Sequence, residues 1–501
     1  MSSSSSVIKT TATGNNHPTA ADRRQNTRTA DVHDPAAELT DGNDDTTIRF
    51  NDLPRDILYT IVSKLPTKEF VRTKILSRKW RRMWPNMCPR LTFDAKMHDT
   101  CVDAETHRHV WCRFLGEVHP MTWMNHGEKV VETLEVRVDL IDDDMEQHID
   151  SWVAIAASSR TKNLTLDLKP WSWWHYYGRP FEFPFHHFYG RRLSHLQHMQ
   201  LSFVSLNLPP HFEGFPNLRK LHLMIPHMSS EELQRVLSHC YSLEWLHLDR
   251  CFLHDQELTV ASPLPRLLYL KATYCESTRM EFNAMNLVTF EYTGSYTPIR
   301  LVHSLKLQSA NIVFNRGVFQ HALVSLLNGI PVVQKLTLRL PLKLTFLEKQ
   351  WLWDNPQKFS NLKHLQLLMR VEPDKILYSS ASFLRATPFI EKLEVHYLCT
   401  STWFEEAGPY KKDDLRECKY EYLKNIWITG FEASRGQLEF LSHVVENADA
   451  LEVLRVYIGL YPRERYWPCG GNEPAKAEEA KQKARTHLSA VLSHNVSFEF
   501  I

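Results

Sequence analysis

Apolar residues recur along most of the chain in a short phrase of the form apolar-x-x-apolar-x-apolar. Clear copies are "FPNLRKLHL", "YSLEWLHL", "FSNLKHLQLL" and "LEVLRVYI". The alternating end of each phrase is typical of a short strand with one buried face. The first apolar position falls at residues 218, 243, 267, 287, 302, 333, 362, 390, 423 and 451, which are 15 to 33 residues apart. Such intervals indicate stacked repeats whose neighbouring strands bury a continuous core.

Helical segments lie between several of these phrases. Both "SSEELQRVLSHC" and "SASFLRATPF" carry apolar residues at helical spacing and are long enough to back a strand. The pattern predicts an α/β fold, an irregular leucine-rich-repeat solenoid with parallel strands and backing helices. A non-repeat α/β domain is the competing interpretation, because apolar alternation occurs in any half-buried strand.

The polar positions between the paired apolar residues are predicted to form a row on one exposed face of the solenoid. This row comprises Thr165, Gln200, His222, His247, Lys271, Glu291, Lys306, Thr337, Gln366, Glu394, Trp427 and Arg455. The candidate substrate face is formed by Gln200, His222, His247, Lys271, Glu291, Gln366 and Glu394. Both signs of charge occur along the row, so it indicates neither a polyanionic nor a polycationic partner.

The stretch "LPRDILYTIVSKLPTKEFVRTKILSRKWRRMW", from Leu53 to Trp84, has a helical pattern instead. Its first helix is expected to end at Pro66, and two further short helices follow. Three short helices cannot bury so many large apolar side chains against one another. The excess either contacts a partner or docks on the rest of the chain, and composition leaves both possibilities open.

This stretch resembles the F-box, in the form common in plant proteins. The resemblance rests on the two "LP" pairs, the run from "KEFVRT" to "LSRKWR" and the following Trp84. It implies a helical module that docks on a Skp-type adaptor and, through it, on the cullin of a ubiquitin ligase. The residues expected to bind the adaptor are Leu53, Pro54, Ile57, Leu58, Leu65, Pro66 and Val71.

Residues 423–458, "LKNIWITGFEASRGQLEFLSHVVENADALEVLRVYI", resemble the FBD module found at the C-terminus of many plant F-box proteins. We interpret this module as a cap for the repeat array. The run "AKAEEAKQKARTHLSAVLS" predicts an exposed, charge-patterned helix. The predicted organisation is a disordered tail at 1–46, an F-box at 47–94, degenerate leucine-rich repeats at 95–420 and an FBD-like module with its terminal helix at 421–501.

Composition argues against several classes of protein. The formal net charge of +1 does not favour a chain that coats nucleic acid, and the basic run "RTKILSRKWRRMW" belongs to the F-box match. No apolar run approaches the length of about eighteen residues that indicates a membrane span. The nine cysteines are scattered without a CxxC, and no signal peptide is evident. We therefore expect reduced thiols and a location in the cytoplasm and/or nucleus.

Candidate chemistry is sparse. The segment "FHHFYGRRLSHLQH" brings His186, His187, His195 and His198 close in sequence, but no zinc-type spacing accompanies them. We therefore predict no metal site, no cofactor and no catalytic residue. The aromatic segment "WSWWHYYGRPFEFPFHHFY", residues 171–189, is either a local core or a recognition loop.

The sequence thus favours a non-catalytic substrate-recognition subunit of an SCF-type (Skp–cullin–F-box) ubiquitin ligase. Its F-box would dock on the adaptor, and its repeats would bind a protein target that the sequence does not name. A protein-binding scaffold without ligase assembly is one alternative. A small-ligand receptor built on the same solenoid is the other.

Overall fold

A computed structural model describes residues 53–65, 69, 73, 90–96, 109, 112, 131–139, 144–170, 179–188, 195–210, 212, 214–252, 257–295, 297–316, 330, 332–340, 359–369, 376–397, 418–458, 474–489, 491 and 496–500. The predicted tail, the second and third predicted F-box helices, Pro66 and Val71 lie essentially outside these residues. The statements below concern the described residues.

Short parallel strands form the spine of the chain. Their bounds are β1 Arg90–Ala95, β2 Thr133–Val138, β3 Asn163–Asp167, β4 Phe181–Glu182, β5 His198–Ser202, β6 Val204–Ser205, β7 Lys220–Met224, β8 Trp245–Asp249, β9 Glu257–Val260, β10 Tyr269–Thr273, β11 Arg279–Asn283, β12 Thr289–Ser295, β13 Ile299–Val302, β14 Ser309–Arg316, β15 Lys335–Leu340, β16 His364–Met369, β17 Lys392–Tyr397, β18 Asn425–Thr429, β19 Val453–Tyr457 and β20 Ser497–Phe500. Fifteen of these described strands pair in one sheet, ordered β1-β2-β3-β5-β7-β8-β10-β12-β14-β15-β16-β17-β18-β19-β20.

The order of strands in this main sheet follows the order of the chain, and every pairing is parallel. Within each strand the apolar residues of the phrase point inward and the intervening polar residues point outward. In β8, for example, Leu246 and Leu248 are fully buried, whereas His247 is only partly buried. The inward residues of neighbouring strands stack into one core along the sheet. The structure therefore confirms the predicted leucine-rich-repeat solenoid.

One predicted strand position is wrong. The phrase "VHSLKL" does not form a main-sheet strand, because β13 belongs to a second sheet and residues 305–307 form the turn that precedes β14. Asn311, not Lys306, occupies the row between Glu291 and Thr337. Leu307 is then the first apolar residue of that repeat, 20 residues after Leu287 and 26 before Val333.

Six described helices accompany the strands. Their bounds are α1 Arg55–Ser63, α2 Asp144–Ser158, α3 Ser230–Ser238, α4 Ile376–Arg385, α5 Arg435–Asn447 and α6 Pro474–Leu488. The first helix ends at Ser63, earlier than its prediction to Pro66. A capping box starts α3, in which the Ser229 side chain accepts from the backbone N–H of Glu232 while the Glu232 carboxylate accepts from the Ser229 N–H.

Three consecutive repeats carry a strand where a backing helix was expected. In these repeats β9, β11 and β13 pair in parallel as a separate sheet. The repeats beginning at residues 243, 267 and 287 are 20 to 24 residues long, against 25 to 28 for those that contain α3, α4 and α5. A strand covers about 3.3 Å per residue and a helix 1.5 Å, so a shorter repeat spans the same distance with a strand.

The FBD-like segment continues the main sheet through β18, α5 and β19. The charge-patterned helix after it is confirmed as α6, in which Lys483 pairs with Glu479 at 2.7 Å while Ala480, Ala484 and Leu488 are buried. Among the described helices, none combines the length and apolar content needed to cross a bilayer.

The described cysteines are free thiols, and most of them are structural. Cys251 and Cys275 end equivalent phrases, "LEWLHLDRC" and "LLYLKATYC", and each donates its S–H to a carbonyl of the preceding repeat at 3.5 Å. Burial raises the pKa of Cys240 to about 12. Thiols of this kind stay protonated and unreactive.

Candidate functional site

The polar row of the main sheet is assembled in strict register. Residues paired from strand to strand are Glu135, Thr165, Gln200, His222, His247, Lys271, Glu291, Asn311, Thr337, Gln366, Glu394, Trp427 and Arg455. All seven residues of the predicted substrate face therefore lie on one side of the main sheet, although the Glu394 side chain is buried there. Whether that surface binds a target remains a prediction. We call it the polar row.

An aromatic cluster occupies the middle of the polar row. His222 and His247 stack with ring centroids 4.2 Å apart, and Trp245 stacks on Tyr269 at 5.6 Å with nearly parallel planes. The ring of Trp245 meets that of His247 edge-on at 5.7 Å. Parallel pairing places equal positions of adjacent strands side by side, which is why these rings meet. Trp245 and Tyr269 lie two residues before the row, so the phrase alone did not select them.

The two imidazoles of this cluster are held neutral. Burial, and then the neighbouring His222, lower the pKa of His247 to about 4. Burial also lowers the pKa of His222, whose Nε2 is buried without a hydrogen-bond partner among the described residues. His247 Nε2 lies 2.9 Å from the Thr273 hydroxyl. The result is an uncharged aromatic patch in the middle of the polar row, in which the stacked rings cover one another's faces.

Opposite charges flank the aromatic cluster. Lys271 Nζ lies 3.4 Å from the Glu291 carboxylate. Burial, together with the adjacent Glu291, raises the pKa of Tyr269. The surface therefore offers a cation, an anion and a phenol beside the stacked rings.

A second cluster is centred on Glu394, whose side chain is almost fully buried. Its carboxylate lies 3.1 Å from His364 Nε2, 2.5 Å from Lys392 Nζ and 3.8 Å from His396 Nε2. Burial raises the pKa of this carboxyl, but the hydrogen bonds from His364, His396 and Lys392 lower it by more, so the pKa lies well below its usual range. Glu394 is therefore ionised at neutral pH.

The Glu394 cluster extends along the sheet in both directions. Thr337 donates its hydroxyl to Gln366 at 3.1 Å, Gln366 contacts His396 Nε2 at 2.9 Å, and His396 Nδ1 lies 2.8 Å from the Thr429 hydroxyl. The ring of Trp427 lies beside that of His396, with centroids 6.2 Å apart. Its indole N–H is buried and has no hydrogen-bond partner among the described residues.

The first helix of the N-terminal module exposes part of its apolar face. Ile57 is 44% exposed and Ile61 36%, and the two lie one turn apart on the same side of α1. Pro54 is exposed, and Leu53 and Leu65 are half-buried. Leu58, also predicted to bind the adaptor, is only 2% exposed and packs inside the chain. The structure adds Tyr59 and Ile61 to the exposed apolar surface.

The phenylalanine side chains of the aromatic segment, residues 171–189, are buried where the structure describes them. Phe183 packs on Phe185 at 4.8 Å and on Phe188 at 5.6 Å, and Phe185 packs edge-on against Phe212 at 5.0 Å. These side chains form a local core, in agreement with one of the two interpretations of the sequence.

Known protein families match both the N-terminal helical module and the repeat region of the chain. Residues 123–489 match the At1g61320/AtMIF1 LRR domain family, and residues 50–92 match the F-box domain. The chain belongs to the F-box/LRR-repeat family.

F-box/LRR-repeat relatives from Arabidopsis thaliana align along most of the chain. The putative F-box/LRR-repeat protein At3g28410 is 26% identical over 428 residues, which cover 82% of this chain and 86% of that protein. The F-box/FBD/LRR-repeat protein At1g13570 is 24% identical over 434 residues, with 83% and 92% covered. The putative FBD-associated F-box protein At5g56410 is 24% identical over 439 residues, with 81% and 80% covered. The family resemblance expected from the sequence is confirmed.

The four histidines of the segment "FHHFYGRRLSHLQH", for which the sequence of this F-box/LRR-repeat chain predicted no metal site, are only partly brought together. The structure groups His186 and His187 with Asp150 of α2, whereas His195 and His198 are not part of that group. Asp150 precedes the histidines by more than one repeat phrase, so sequence spacing gave no signal of its position.

Replacing Glu394 by glutamine is expected to destabilise this F-box/LRR-repeat protein at pH 7 by about 1–3 kcal/mol, because hydrogen bonds to a buried charge are lost. The folded-state pKa of Glu394 is depressed, so its stabilisation is present above the unfolded-state pKa and is lost as pH falls below about 4.5. Urea unfolding of both proteins between pH 7 and pH 3 measures the difference, which should shrink with acid.

A matched control for this change is Glu391→Gln. Glu391 pairs with Lys363 at 2.9 Å, but both side chains are about half exposed. The control should change stability by less than about 0.5 kcal/mol. Equal effects of the two substitutions would contradict the role assigned to the Glu394 cluster.

Proposed function

We propose that this protein is the substrate-recognition subunit of an SCF-type ubiquitin ligase. The F-box module docks on a Skp-type adaptor and, through it, on a cullin, while the polar row binds a protein target. The chain itself contributes proximity rather than chemistry, because it holds target lysines close to a ubiquitin thioester formed elsewhere. We place this activity in the cytoplasm and/or nucleus.

The observation that carries the proposal is the pairing of an F-box match with exposed apolar side chains on α1. Ile57 and Ile61 expose apolar surface on a helix that the F-box match includes. Apolar side chains that cluster on a surface in this way mark protein interaction sites. The solenoid supports the second half of the proposal, because repeat arrays present long, continuous binding surfaces.

A double substitution of α1, Ile57→Ala with Ile61→Ala, is expected to weaken adaptor binding by roughly 30- to 100-fold. Each truncated anchor of an interface costs more than about 1 kcal/mol when it is a central contact. The full chain, purified with and without the two changes, is titrated against an isolated Skp-type adaptor by calorimetry. Thermal unfolding of both proteins is measured in parallel, because each side chain is also partly covered within the chain and a loss of fold must be distinguished from a loss of binding.

The matched control removes two other exposed apolar side chains, Met285→Ala with Leu305→Ala. Leu305 is 78% exposed and Met285 about half exposed, and both lie in the repeats. This control should bind the adaptor as tightly as the unchanged chain. A folded, unchanged chain that fails to bind any Skp-type adaptor would refute the ligase assignment and favour a scaffold.

A further inference from the structure

We propose that Asp150, His186 and His187 bind one divalent transition-metal ion, of which Zn²⁺ is the representative. A ligand atom from each residue lies within 4.8 Å of the other two. The site is distinct from the polar row and from α1, and the proposal is independent of the ligase assignment.

The distances between ligand atoms suit a first-row metal ion. His187 Nε2 lies 3.1 Å from both carboxylate oxygens of Asp150, and His186 Nε2 lies 3.8 Å from Asp150 Oδ1. Two ligands held about 2.0–2.1 Å from a tetrahedral zinc ion are about 3.4 Å apart, between these two values. His186 is 62% exposed, so its side chain is free to make the small movement that closes the site.

The donor set defines the class of metal. Two imidazole nitrogens with one carboxylate suit zinc, copper, nickel or iron, whereas calcium and magnesium prefer oxygen ligands alone. Both histidines turn Nε2 toward the carboxylate, which leaves each Nδ1 free to carry the proton of the neutral tautomer. Metal binding would replace the hydrogen bond that now joins His187 to Asp150.

The fold fixes the backbone that carries these three ligands. Ile149, Trp152 and Val153 are buried and hold α2 against the sheet, which places Asp150 on the accessible side. The two histidines lie in a short 3-10 helix, Phe185–His187, between the buried Phe185 and Phe188. Because both ends of that helix are anchored in the aromatic core, the imidazoles are presented outward at a fixed place. Pre-positioned ligands of this kind lower the entropic cost of binding a metal.

The site opens on a cavity of about 670 Å³ with further acidic groups in its wall. Glu146 lies one turn before Asp150 on α2, and Glu182 lies just before the 3-10 helix. Glu182 accepts from the Asn207 amide at 3.0 Å, and Glu146 lies 3.5 Å from Arg179. The cavity thus leaves room for a fourth ligand, either water or a carboxylate. With three protein ligands, the ion would keep one coordination position open for that fourth ligand, as in zinc sites that exchange a ligand.

The test measures metal binding to the full chain after chelator treatment. Zn²⁺ is titrated in competition with a chromophoric chelator, and Co²⁺ is titrated as a spectroscopic probe. We expect the unchanged chain to bind one more equivalent of Zn²⁺ at micromolar concentration than the double variant Asp150→Asn/His187→Ala, with at least a 100-fold loss of affinity at that site. The Co²⁺ complex should show the intense visible absorption of four-coordinate cobalt, which the variant loses.

Two further variants make the result decisive. His186→Ala removes an exposed side chain and leaves the His187–Asp150 contact in place, so it should fold normally and still weaken Zn²⁺ binding at least tenfold. His487→Ala removes an exposed histidine of α6, distant in sequence from the site, and should bind Zn²⁺ as the unchanged chain does. Equal stoichiometry and affinity in all four proteins, or binding that requires millimolar Zn²⁺, would overturn the proposal.

Discussion

Replacing Gly430 by alanine is expected to destabilise the C-terminal repeats by about 3–5 kcal/mol. Gly430 follows β18 with a φ of +68°, a conformation that costs an L-residue about 1–2 kcal/mol. A Cβ atom at this position would lie 2.0 Å from the carbonyl oxygen of Tyr397 and 3.0 Å from its carbonyl carbon. The obstacle is backbone of the neighbouring repeat, so relief requires β17 and β18 to move apart.

Ala433→Gly is the natural control for this change. Ala433 lies three residues later and also has a positive φ, of +54°. Exchanging it for glycine relieves a strained alanine but removes a buried methyl group, and the two effects should nearly cancel. Urea unfolding followed by circular dichroism measures both variants. A change of less than 1 kcal/mol in Gly430→Ala would show that the repeats can separate at little cost.

Acidification is expected to destabilise the same region through His443. This side chain of α5 is largely buried, with Nε2 2.8 Å from the Tyr420 hydroxyl, and burial lowers its pKa to about 4. The unfolded chain takes up a proton near pH 6.5, whereas the folded chain does so only near pH 4. The contribution of His443 to stability is therefore constant above pH 6.5, falls by about 3 kcal/mol as pH decreases to 4, and levels off below.

His443→Gln isolates this contribution, because the glutamine amide can still hydrogen-bond with the Tyr420 hydroxyl but does not titrate. The difference in unfolding free energy between the two proteins should vary with pH between 6.5 and 4, while His487→Gln, at an exposed position, should follow the unchanged chain. His247 has a similar pKa and contributes acid sensitivity of its own in both proteins. A constant difference between the unchanged chain and His443→Gln across this range would contradict the assignment.

The main sheet was predictable from the sequence because every strand of a repeat array must meet the same burial requirement. An apolar pair at i and i+2 must face the core, and that requirement alone places His222 beside His247 and Gln366 beside Glu394. The error at Lys306 arose because the phrase "VHSLKL" begins in the backing strand β13, whereas the next main-sheet strand, β14, starts only at Ser309. Periodicity does not distinguish the main-sheet strand from the backing strand β13.

The candidate sites were less predictable for a physical reason. Trp245 and Tyr269 were missed because the repeat phrase marks only the central polar position of each strand. Strand register also aligns the first residues of β8 and β10, and the two rings meet there. Asp150 was missed because it reaches His186 and His187 through folding of an insertion rather than through a repeat period. On α1, the apolar pattern predicted which face of the helix is apolar. It did not predict which side chains of that face are buried within the chain, as Leu58 is.

The agreement between strand order and chain order has a consequence for synthesis on the ribosome. Each strand of the main sheet pairs with the main-sheet strand that left the ribosome before it, from β1 to β20. No pairing in that sheet has to wait for a distant part of the chain, so the array can grow strand by strand during translation at about 5–20 residues per second. Until the next strand arrives, the newest strand presents an unpaired edge. A pause in translation between two repeats would therefore prolong exposure of that edge to other nascent chains.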